Sequence, residues 1–331
     1  MLRVSLISIV VFMLACSGST GPSYPEYSMI YIIDTGTGTI SDEIDMNAGI
    51  SYISISPDGN YLYVVQYSED DIVQVDCLTN SVSGSLSLGS YDWCIDLCLN
   101  DQGTELYANY GGMIFIVDVP SLTVRDSVYS DIAGVGRITH RPGTDLLYAS
   151  FYQSSSLTGI YVIDVAQCEV INTLDYRTSN IVFSETGNDL YISDETSIKR
   201  LDPDLGTQLA SFDVNNAFSE ICFDPVSNTV YASRSDPYST ERGVISLDGS
   251  SLLLQDSVNI NYDVSIICHL PVKDNLYLGI TSALNSDKVM VLDLPGLEII
   301  NEISVPEGLT DMVADPSGDY VYCSLEYAVD I

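Results

Sequence analysis

One repeated pattern constrains this chain more than any other feature. Seven times, a tight turn is followed by a short apolar strand with a tyrosine at its centre. Successive tyrosines are 40 to 46 residues apart. An internal repeat of this length is typical of a molecule built from neighbouring copies of one small unit. The seven tyrosines are Tyr63, Tyr107, Tyr148, Tyr191, Tyr231, Tyr277 and Tyr322.

A second pattern lies between these tyrosines and also occurs seven times. It is an apolar strand that ends in Asp and is followed by a turn. Each unit therefore contains four strands, which we call a to d in chain order: ISYISIS, YLYVV, IVQVD and SVSGSLSL in the copy around Tyr63. The strand c aspartates are Asp34, Asp76, Asp118, Asp164, Asp202, Asp248 and Asp293.

Four short strands per unit, separated by turn residues, predict the blade of a β-propeller. The chain starts with a c and d pair at residues 28–46 and ends with an a and b pair at 309–326. These halves complete one blade together, which closes the ring and removes its exposed strand edges. We therefore predict an all-β protein with seven four-stranded blades over residues 27–331 and no separate domain.

The elements SPDGNYLYVV and VIDxxxxxV resemble the YVTN family of β-propeller repeats, which occurs in secreted and cell-surface proteins of bacteria and archaea. The resemblance extends over residues 28–326. It implies the propeller fold but leaves the activity open, because related propellers include lactonases, electron-transfer subunits and binding platforms. In the second and fourth copies the turn proline is replaced, by Asp101 and Glu185.

The N-terminus carries features of an export signal. Arg3 precedes an apolar run from Val4 to Ala15, which is too short to span a bilayer but has the length of a signal-peptide core. The sequence MLAC ending at Cys16 resembles the bacterial lipoprotein box. We expect residues 1–15 to be the signal peptide, Cys16 to be lipidated, and residues 16–26 to form a flexible tether.

This interpretation predicts a protein outside the cytoplasm, anchored by its lipid in the cell envelope at the outer membrane or the cell surface. An ordinary secretory signal is the alternative. The formal net charge is −35, with 46% hydrophobic and 17% charged residues. Such apolar content excludes a disordered acidic chain, and the charge excludes binding to a nucleic-acid backbone. We expect membrane contact through the lipid alone, and a monomer.

Candidate site residues come from the position eleven before each tyrosine. Strand a is innermost in propellers, so side chains where it begins are expected to meet at the mouth of the central channel. Five of the seven are charged or amide-bearing. The row consists of Tyr52, Asp96, Arg137, Asn180, Glu220, Ile266 and Asp311, and strand b adds Asp194 and Arg234 at the same face.

Two interpretations of this row remain open. Asp96, Glu220 and Asp311, with Asn180 beside them, offer the hard oxygen ligands that Ca²⁺ prefers, and Arg137 would grip an anionic ligand. Their residue types resemble the metal ligands of calcium-dependent lactonases. In the other interpretation they are polar strand ends that pair with one another, such as Arg137 with Asp96.

The histidines and cysteines favour structural roles. His140 and His269 both lie eight residues before the repeated tyrosine, in a mainly apolar row, which predicts core positions. Seven cysteines remain after Cys16, an odd number without a C-x-x-C pair. This predicts free packing thiols rather than a disulfide framework, structural zinc or covalent haem.

The function predicted from these observations is a binding or scaffold module for a protein, peptide or glycan partner, with no cofactor required. The alternative is a lactonase-type hydrolase with Ca²⁺ at the channel mouth. An electron-transfer accessory is a third class, disfavoured by the lack of an attachment motif. Five aromatic residues are predicted near the mouth as a stacking surface: Trp93, Tyr52, Tyr110, Phe151 and Tyr152.

Overall fold

The computed structural model describes most of the chain from Glu26 onward. The signal peptide, Cys16 and Trp93 lie outside the described residues, so the predictions about them stay predictions. The described ranges are 26–66, 71–89, 94–129, 135–154, 157–194, 196–213, 218–234, 242–281 and 287–328.

Twenty-eight strands form seven antiparallel sheets of four strands each. The first ten strands are β1 (Glu26–Asp34), β2 (Thr39–Asp45), β3 (Ile50–Ile55), β4 (Tyr61–Gln66), β5 (Asp71–Asp76), β6 (Ser81–Ser87), β7 (Cys94–Leu99), β8 (Glu105–Tyr110), β9 (Met113–Asp118) and β10 (Thr123–Tyr129). The next eight are β11 (Val135–His140), β12 (Leu146–Ser154), β13 (Leu157–Asp164), β14 (Glu169–Leu174), β15 (Asn180–Phe183), β16 (Leu190–Ser193), β17 (Ser197–Leu201) and β18 (Gln208–Asp213).

The remaining strands continue the same order. They are β19 (Phe218–Asp224), β20 (Thr229–Arg234), β21 (Gly243–Asp248), β22 (Leu254–Asn259), β23 (Val264–Leu270), β24 (Asn275–Ile280), β25 (Lys288–Asp293), β26 (Glu298–Ser304), β27 (Leu309–Ala314) and β28 (Tyr320–Ala328). The one helical element in the described ranges is a 3-10 turn at Pro271–Lys273. Consequently no described helix is long and apolar enough to cross a membrane.

Each sheet is one blade. Blades 1 to 6 are β3–β6, β7–β10, β11–β14, β15–β18, β19–β22 and β23–β26. Blade 7 has the strand order β2-β1-β28-β27, so both chain ends contribute to it. The first strand of every blade contacts the first strand of the next, and β27 contacts β3, which closes the ring. The seven-bladed prediction and its mode of closure are confirmed.

The closing blade is slightly longer than the sequence indicated. β1 begins at Glu26, which pairs with Ala328, whereas the sequence placed Glu26 in the tether and ended the last strand at residue 326. Pairing of each end with the other lengthens both strands, because an antiparallel partner satisfies backbone groups that would otherwise face water.

The repeated tyrosines form the contacts between blades. All seven are at most 3% exposed. Tyr63 of blade 1, for example, packs with Leu106, Ala108 and Val117 of blade 2. Its counterpart Tyr148 in blade 3 donates a hydrogen bond to the carbonyl of Pro203 in blade 4, at 3.1 Å. A buried tyrosine supplies a large apolar ring and one polar group, which explains why the repeat keeps it.

The strand c aspartates shape the turn between strands c and d. Asp76 accepts hydrogen bonds from the backbone N–H groups of Leu78 and Thr79, both at 2.9 Å. Asp202 does the same in blade 4 with Asp204 and Leu205. Such aspartate turns replace backbone hydrogen bonds at the sharpest bend. The turns between a and b and between c and d lie at one face of the ring, which we call the turn face.

Candidate functional site

The opposite face, where the inner strands begin, is the channel mouth. Six of the seven inner strands contain a β-bulge there, next to the residue eleven before the tyrosine. In β27 the irregularity lies between Leu309 and Asp311, so no residue of β28 lies directly opposite Thr310 in the register. A bulge re-aims the side chains beside it.

Arg137 lies at the centre of the resulting group. Its Nη2 atom is 2.5 Å from Glu220 Oε1, and its Nη1 atom is 3.5 Å from Asp96 Oδ1. The guanidinium carbon lies 5.4 Å from the centre of the Tyr52 ring, within the range of a cation–π contact. These four residues belong to blades 3, 5, 2 and 1. Four members of the row eleven before the tyrosine are therefore in contact with one another.

Asp96 and Asp311 also connect neighbouring blades. Asp96 Oδ2 accepts a hydrogen bond from the N–H of Ile138, at 2.8 Å. Asp311 accepts one from Ile53 at 3.1 Å and another from Met312 at 2.8 Å. Ile138 and Ile53 each follow the bulge of the next blade, so these carboxylates satisfy a backbone group beside an irregular ladder.

Burial governs the protonation of these acids. It raises the pKa of Asp96 to about 6 and that of Asp311 to about 7, although Arg137 acts in the opposite direction. Burial also raises the pKa of Tyr52. For Arg137, burial lowers the pKa, but Asp96, Glu220 and Asp311 outweigh it and the net shift is upward. The group is thus one fixed cation surrounded by acids, two of which take up protons near neutral pH.

The other predicted mouth residues have different surroundings. Asn180 is buried at the start of β15, opposite Ser193, and Ile266 is buried in the core. Asp194 accepts from the N–H groups of Thr196 and Ser197. It also pairs with Lys199 at 2.8 Å. Although burial raises its pKa, these partners lower the pKa of Asp194 overall.

Arg234 donates to Asn259 of its own blade, at 3.2 Å. These contacts of Asp194 and Arg234 lie within blades 4 and 5. The placement of both residues at the channel mouth stays a prediction.

A calcium ion at Asp96, Glu220 and Asp311 stays a prediction. Within the described residues, no three His, Cys, Asp or Glu side chains are grouped in a way that suits a metal ion. The Arg137 guanidinium already supplies the cation between Asp96 and Glu220. Calcium would have to share these carboxylates with Arg137 or displace it.

The two histidines lie in the core, as their row predicts. His140 stacks on Tyr107 at 5.8 Å, and its Nε2 donates to the carbonyl of Thr144 at 2.8 Å. Its Nδ1 is 3.2 Å from Asp101 Oδ1. His269 is buried with Nε2 3.8 Å from Asp224 Oδ1, and burial lowers its pKa. Neither contact resembles a general base facing the channel.

All seven described cysteines are free, which confirms the prediction of no disulfide framework. Burial raises the pKa of Cys94 and of Cys268 to about 12. A thiol with such a pKa stays protonated at neutral pH and is a poor nucleophile. These cysteines pack rather than react.

The predicted aromatic surface is mostly core. Tyr110 is 3% exposed and meets Phe115 edge-on, and Phe151 is 5% exposed and stacks on Tyr161 at 4.2 Å. The prediction that Tyr110 and Phe151 stack a ligand is therefore wrong, because neighbouring rings of their own blades cover them. Tyr152 is 56% exposed and Tyr52 lies beside Arg137.

Sequence reasoning missed the bulges, although a signal was present. The position twelve before the tyrosine is small or hydroxylated in six of seven copies: Ser51, Gly136, Ser179, Ser219, Ser265 and Thr310. The hydroxyls of Ser179, Ser265 and Thr310 donate to strand b carbonyls at 3.1 to 3.2 Å. At Ser265 and Thr310, whose strands are bulged, such bonds compensate for the interrupted ladder.

Comparison with known proteins supports the architecture. No protein family and no curated protein matches the chain. Among solved structures, the chain is similar to the Myceliophteria thermophila Cps50 (Swd1) β-propeller domain, with 12% identity, a TM-score of 0.67, and coverage of 84% of this chain and 96% of that one. It is similar to a chain of a mitotic checkpoint complex, with 16% identity, a TM-score of 0.72 and coverage of 99% of both chains.

It is also similar to a chain of Kuenenia stuttgartiensis hydrazine synthase, with 16% identity, a TM-score of 0.69, and coverage of 86% of this chain and 96% of that one. At such low identity these likenesses show the fold alone. The chain has the propeller fold, and its function has to be argued from its own residues.

Proposed function

We propose that this propeller is an interaction module that holds a protein partner over its channel mouth. The observation that carries the proposal is the Arg137 group, in which one guanidinium joins side chains of four blades. A rigid, preorganised surface of this kind loses little freedom on binding. Propellers of similar fold occur in the mitotic checkpoint complex, whose name denotes a protein assembly.

The proposal extends to location and anchoring. We propose a YVTN-like, monomeric protein held outside the cytoplasm by a lipid on Cys16, with the propeller beyond the tether. The net charge of −35 favours a basic partner surface and disfavours contact of the propeller itself with anionic lipid headgroups. A peptide or a glycan is the alternative occupant of the mouth.

Site-specific photo-crosslinking tests the interaction. A photoreactive residue replaces Tyr152, exposed beside the mouth, or Leu209, exposed on the outer strand of blade 4. In the source cells, a discrete cross-linked protein at position 152 that is absent at position 209 supports the proposal. Equal products at both positions, or none at position 152, would contradict it. Release of the protein from membranes by a lipase-type or acyl-removing treatment tests the anchor separately.

A calcium-dependent lactonase-type hydrolase is the second candidate. One observation favours it: Asp96 and Asp311 have pKa values raised to about 6 and 7, the range of a general base. Lactone hydrolysis by the purified protein that disappears with EDTA and in Glu220→Gln would support this candidate. A lactone hydrolysis rate equal to that in buffer without the protein would contradict this candidate.

A further inference from the structure

A cavity of about 510 Å³ lies between blades 1 and 2 on the turn face, away from the Arg137 group. Blade 1 contributes Ser56, Asp58, Tyr63 and Gln74 to its wall, and no Lys or Arg lines it. The Tyr63 ring is fully buried, and its hydroxyl accepts a hydrogen bond from Gln74 at 3.0 Å. In the described part of the chain this is the hydroxyl's only hydrogen bond.

At the next three interfaces, the chain fills the corresponding region with its own arginines. Arg125 of blade 2 donates to the carbonyl of Val165 in blade 3, at 2.9 Å. Arg141 of blade 3 donates to the carbonyl of Gly187 in blade 4, at 2.8 Å. It also pairs with the Asp204 carboxylate at 2.5 Å.

Arg200 of blade 4 completes the series. It donates to the carbonyl of Ser250 in blade 5, at 2.7 Å, and pairs with Asp189 of its own blade, also at 2.7 Å. Each of the three arginines therefore crosses from one blade to the turns of the next. At these three interfaces, a basic side chain occupies this part of the fold.

Blade 1 has a short or uncharged residue at each of the three positions. Gln74 lies opposite Tyr63 in the strand register, as Arg200 lies opposite Tyr191. Ser56 precedes its tyrosine by seven residues, as Arg141 does. Likewise, Ser83 corresponds to Arg125, seven residues after the strand c aspartate, and it hydrogen-bonds to Gln74. The interface between blades 1 and 2 therefore lacks the arginine that the three interfaces after it have.

The opposite wall keeps the corresponding backbone. Gly103 and Pro120 of blade 2 line the cavity. Counted from the repeated tyrosine and aspartate, they correspond to Gly187 and Asp204, which receive Arg141 in blade 4. The cavity thus has the shape of an arginine site whose arginine is missing.

The chemistry of the wall also favours a cation. Asp58 accepts hydrogen bonds from the Ser56 hydroxyl at 2.6 Å and from Asn60, and these bonds, above all that of Ser56, lower the pKa of Asp58. It is therefore ionised at neutral pH. Tyr61 and Tyr63 also line the cavity. A carboxylate, two rings and amide oxygens suit arginine better than they suit an anion or an alkyl chain.

We propose that this cavity binds an arginine side chain of a partner protein. The inference rests on the proposed function, because it names a feature of the partner that the module would hold. It places a second point of contact on the face opposite the mouth, so that a partner engages the propeller through an extended segment as well as at the mouth.

Isothermal titration of the full-length protein in nonionic detergent tests this directly. The probes are three blocked tripeptides, Gly-Arg-Gly, Gly-Lys-Gly and Gly-citrulline-Gly. We expect the arginine peptide to bind at least tenfold more tightly than the citrulline peptide, which has nearly the same shape without the charge. We also expect the lysine peptide to bind more weakly than the arginine peptide, because lysine lacks the planar fork.

Variants that restore the missing arginine are the matched test. Gln74→Arg reproduces Arg200, and Ser56→Arg reproduces Arg141. In each variant, the new arginine should occupy the cavity and weaken binding of the arginine peptide at least tenfold. The melting temperature of the variant should stay unchanged or rise. Ser257→Arg adds the same charge on the exposed outer strand of blade 5 and should leave binding unchanged.

Three results would overturn the proposal: no binding of the arginine peptide, equal binding of the citrulline peptide, or full binding in folded Gln74→Arg and Ser56→Arg. The photo-crosslink at position 152 separates this inference from the proposed function. A cross-link that persists while peptide binding fails leaves the interaction module and removes the arginine site. Peptide binding without any cross-link supports the arginine site and contradicts the interaction module at the mouth.

Discussion

The two faces of the ring hold their charges in different ways. At the mouth, one guanidinium, that of Arg137, contacts side chains of blades 1, 2 and 5. On the turn face, Arg125, Arg141 and Arg200 each join only one pair of neighbouring blades. The mouth is therefore a shared arrangement that depends on one residue, whereas the turn face is held interface by interface.

Removal of Arg137 should have the largest effect. In Arg137→Met, Asp96 and Glu220 lose their cation while they remain partly buried, and we expect the free energy of unfolding to fall by about 3 kcal/mol. Urea unfolding at pH 8 measures this. The loss should be smaller at pH 5, where Asp96, whose pKa burial raises to about 6, takes up a proton. If Arg137→Met lowers the free energy of unfolding no more than Arg125→Met does, the contrast between the two faces is wrong.

The pH dependence of stability should also come from the mouth. Asp96 and Asp311 have folded pKa values of about 6 and 7, above the ordinary value of 3.8. Their folded forms bind protons more tightly than the unfolded chain, so stability is greatest at low pH within this window and falls as pH rises. We expect a decrease of about 2 kcal/mol between pH 4.5 and 7.5, after allowance for solvent screening.

Unfolding of Asp96→Asn/Asp311→Asn over the same pH range is the control, and its curve should be nearly flat or rise. His269 acts in the opposite direction, because burial lowers its pKa and the unfolded chain takes up the proton first. It is present in both proteins, so the difference between the two curves isolates the acids. An unchanged slope in the double variant would assign the effect elsewhere.

On the turn face, loss of one arginine should be local. Arg200→Gln makes the interface of blades 4 and 5 similar to that of blades 1 and 2, at a cost of about 1 kcal/mol for the lost charged hydrogen bonds. Thermal unfolding measures the cost, and titration with the arginine peptide should reveal a second binding site of comparable affinity. A large cost without new binding would show that the arginine holds more than its own interface.

The smallest expected effect concerns one strand c to d turn. Cys168 has a left-handed backbone, with φ of +57°, at the position where two copies have glycine, one has Asn80 and three have leucine. Asparagine tolerates this conformation better than cysteine. Cys168→Asn should therefore raise the free energy of unfolding by about 0.5 kcal/mol without changing the pH profile. A decrease would show that packing of the half-buried thiol outweighs the backbone.

The fold was predictable because its determinants recur at fixed spacing. Each repeated tyrosine is buried in the core, and the strand c aspartates of six copies hydrogen-bond to their own turns, so the same rule recurs along the chain. The meeting of Asp96, Arg137 and Glu220 was predictable for the same reason. Glu26 was misplaced because its strand partner, Ala328, is at the other end of the sequence.

Other features were not predictable because they do not recur. The surroundings of Asp194 depend on Lys199, which only blade 4 offers in that place. The arginines between blades come from three different strands or turns, so no single row of the repeat reveals them. The same holds for the cavity, which is apparent only when the three arginines are seen to reach the same region.

Blade 7 has a consequence for the order of synthesis. Glu26 of β1 pairs with Ala328 of β28, so β1 can pair with β2 early but lacks β28 until almost the whole chain has been made. Closing a loop of this length costs about 5 kcal/mol of chain entropy. During that interval one edge of β1 is open to other strands. A chain truncated before residue 309 would lack β27 and β28, two of the four strands of blade 7. We expect it to aggregate rather than form a six-bladed ring.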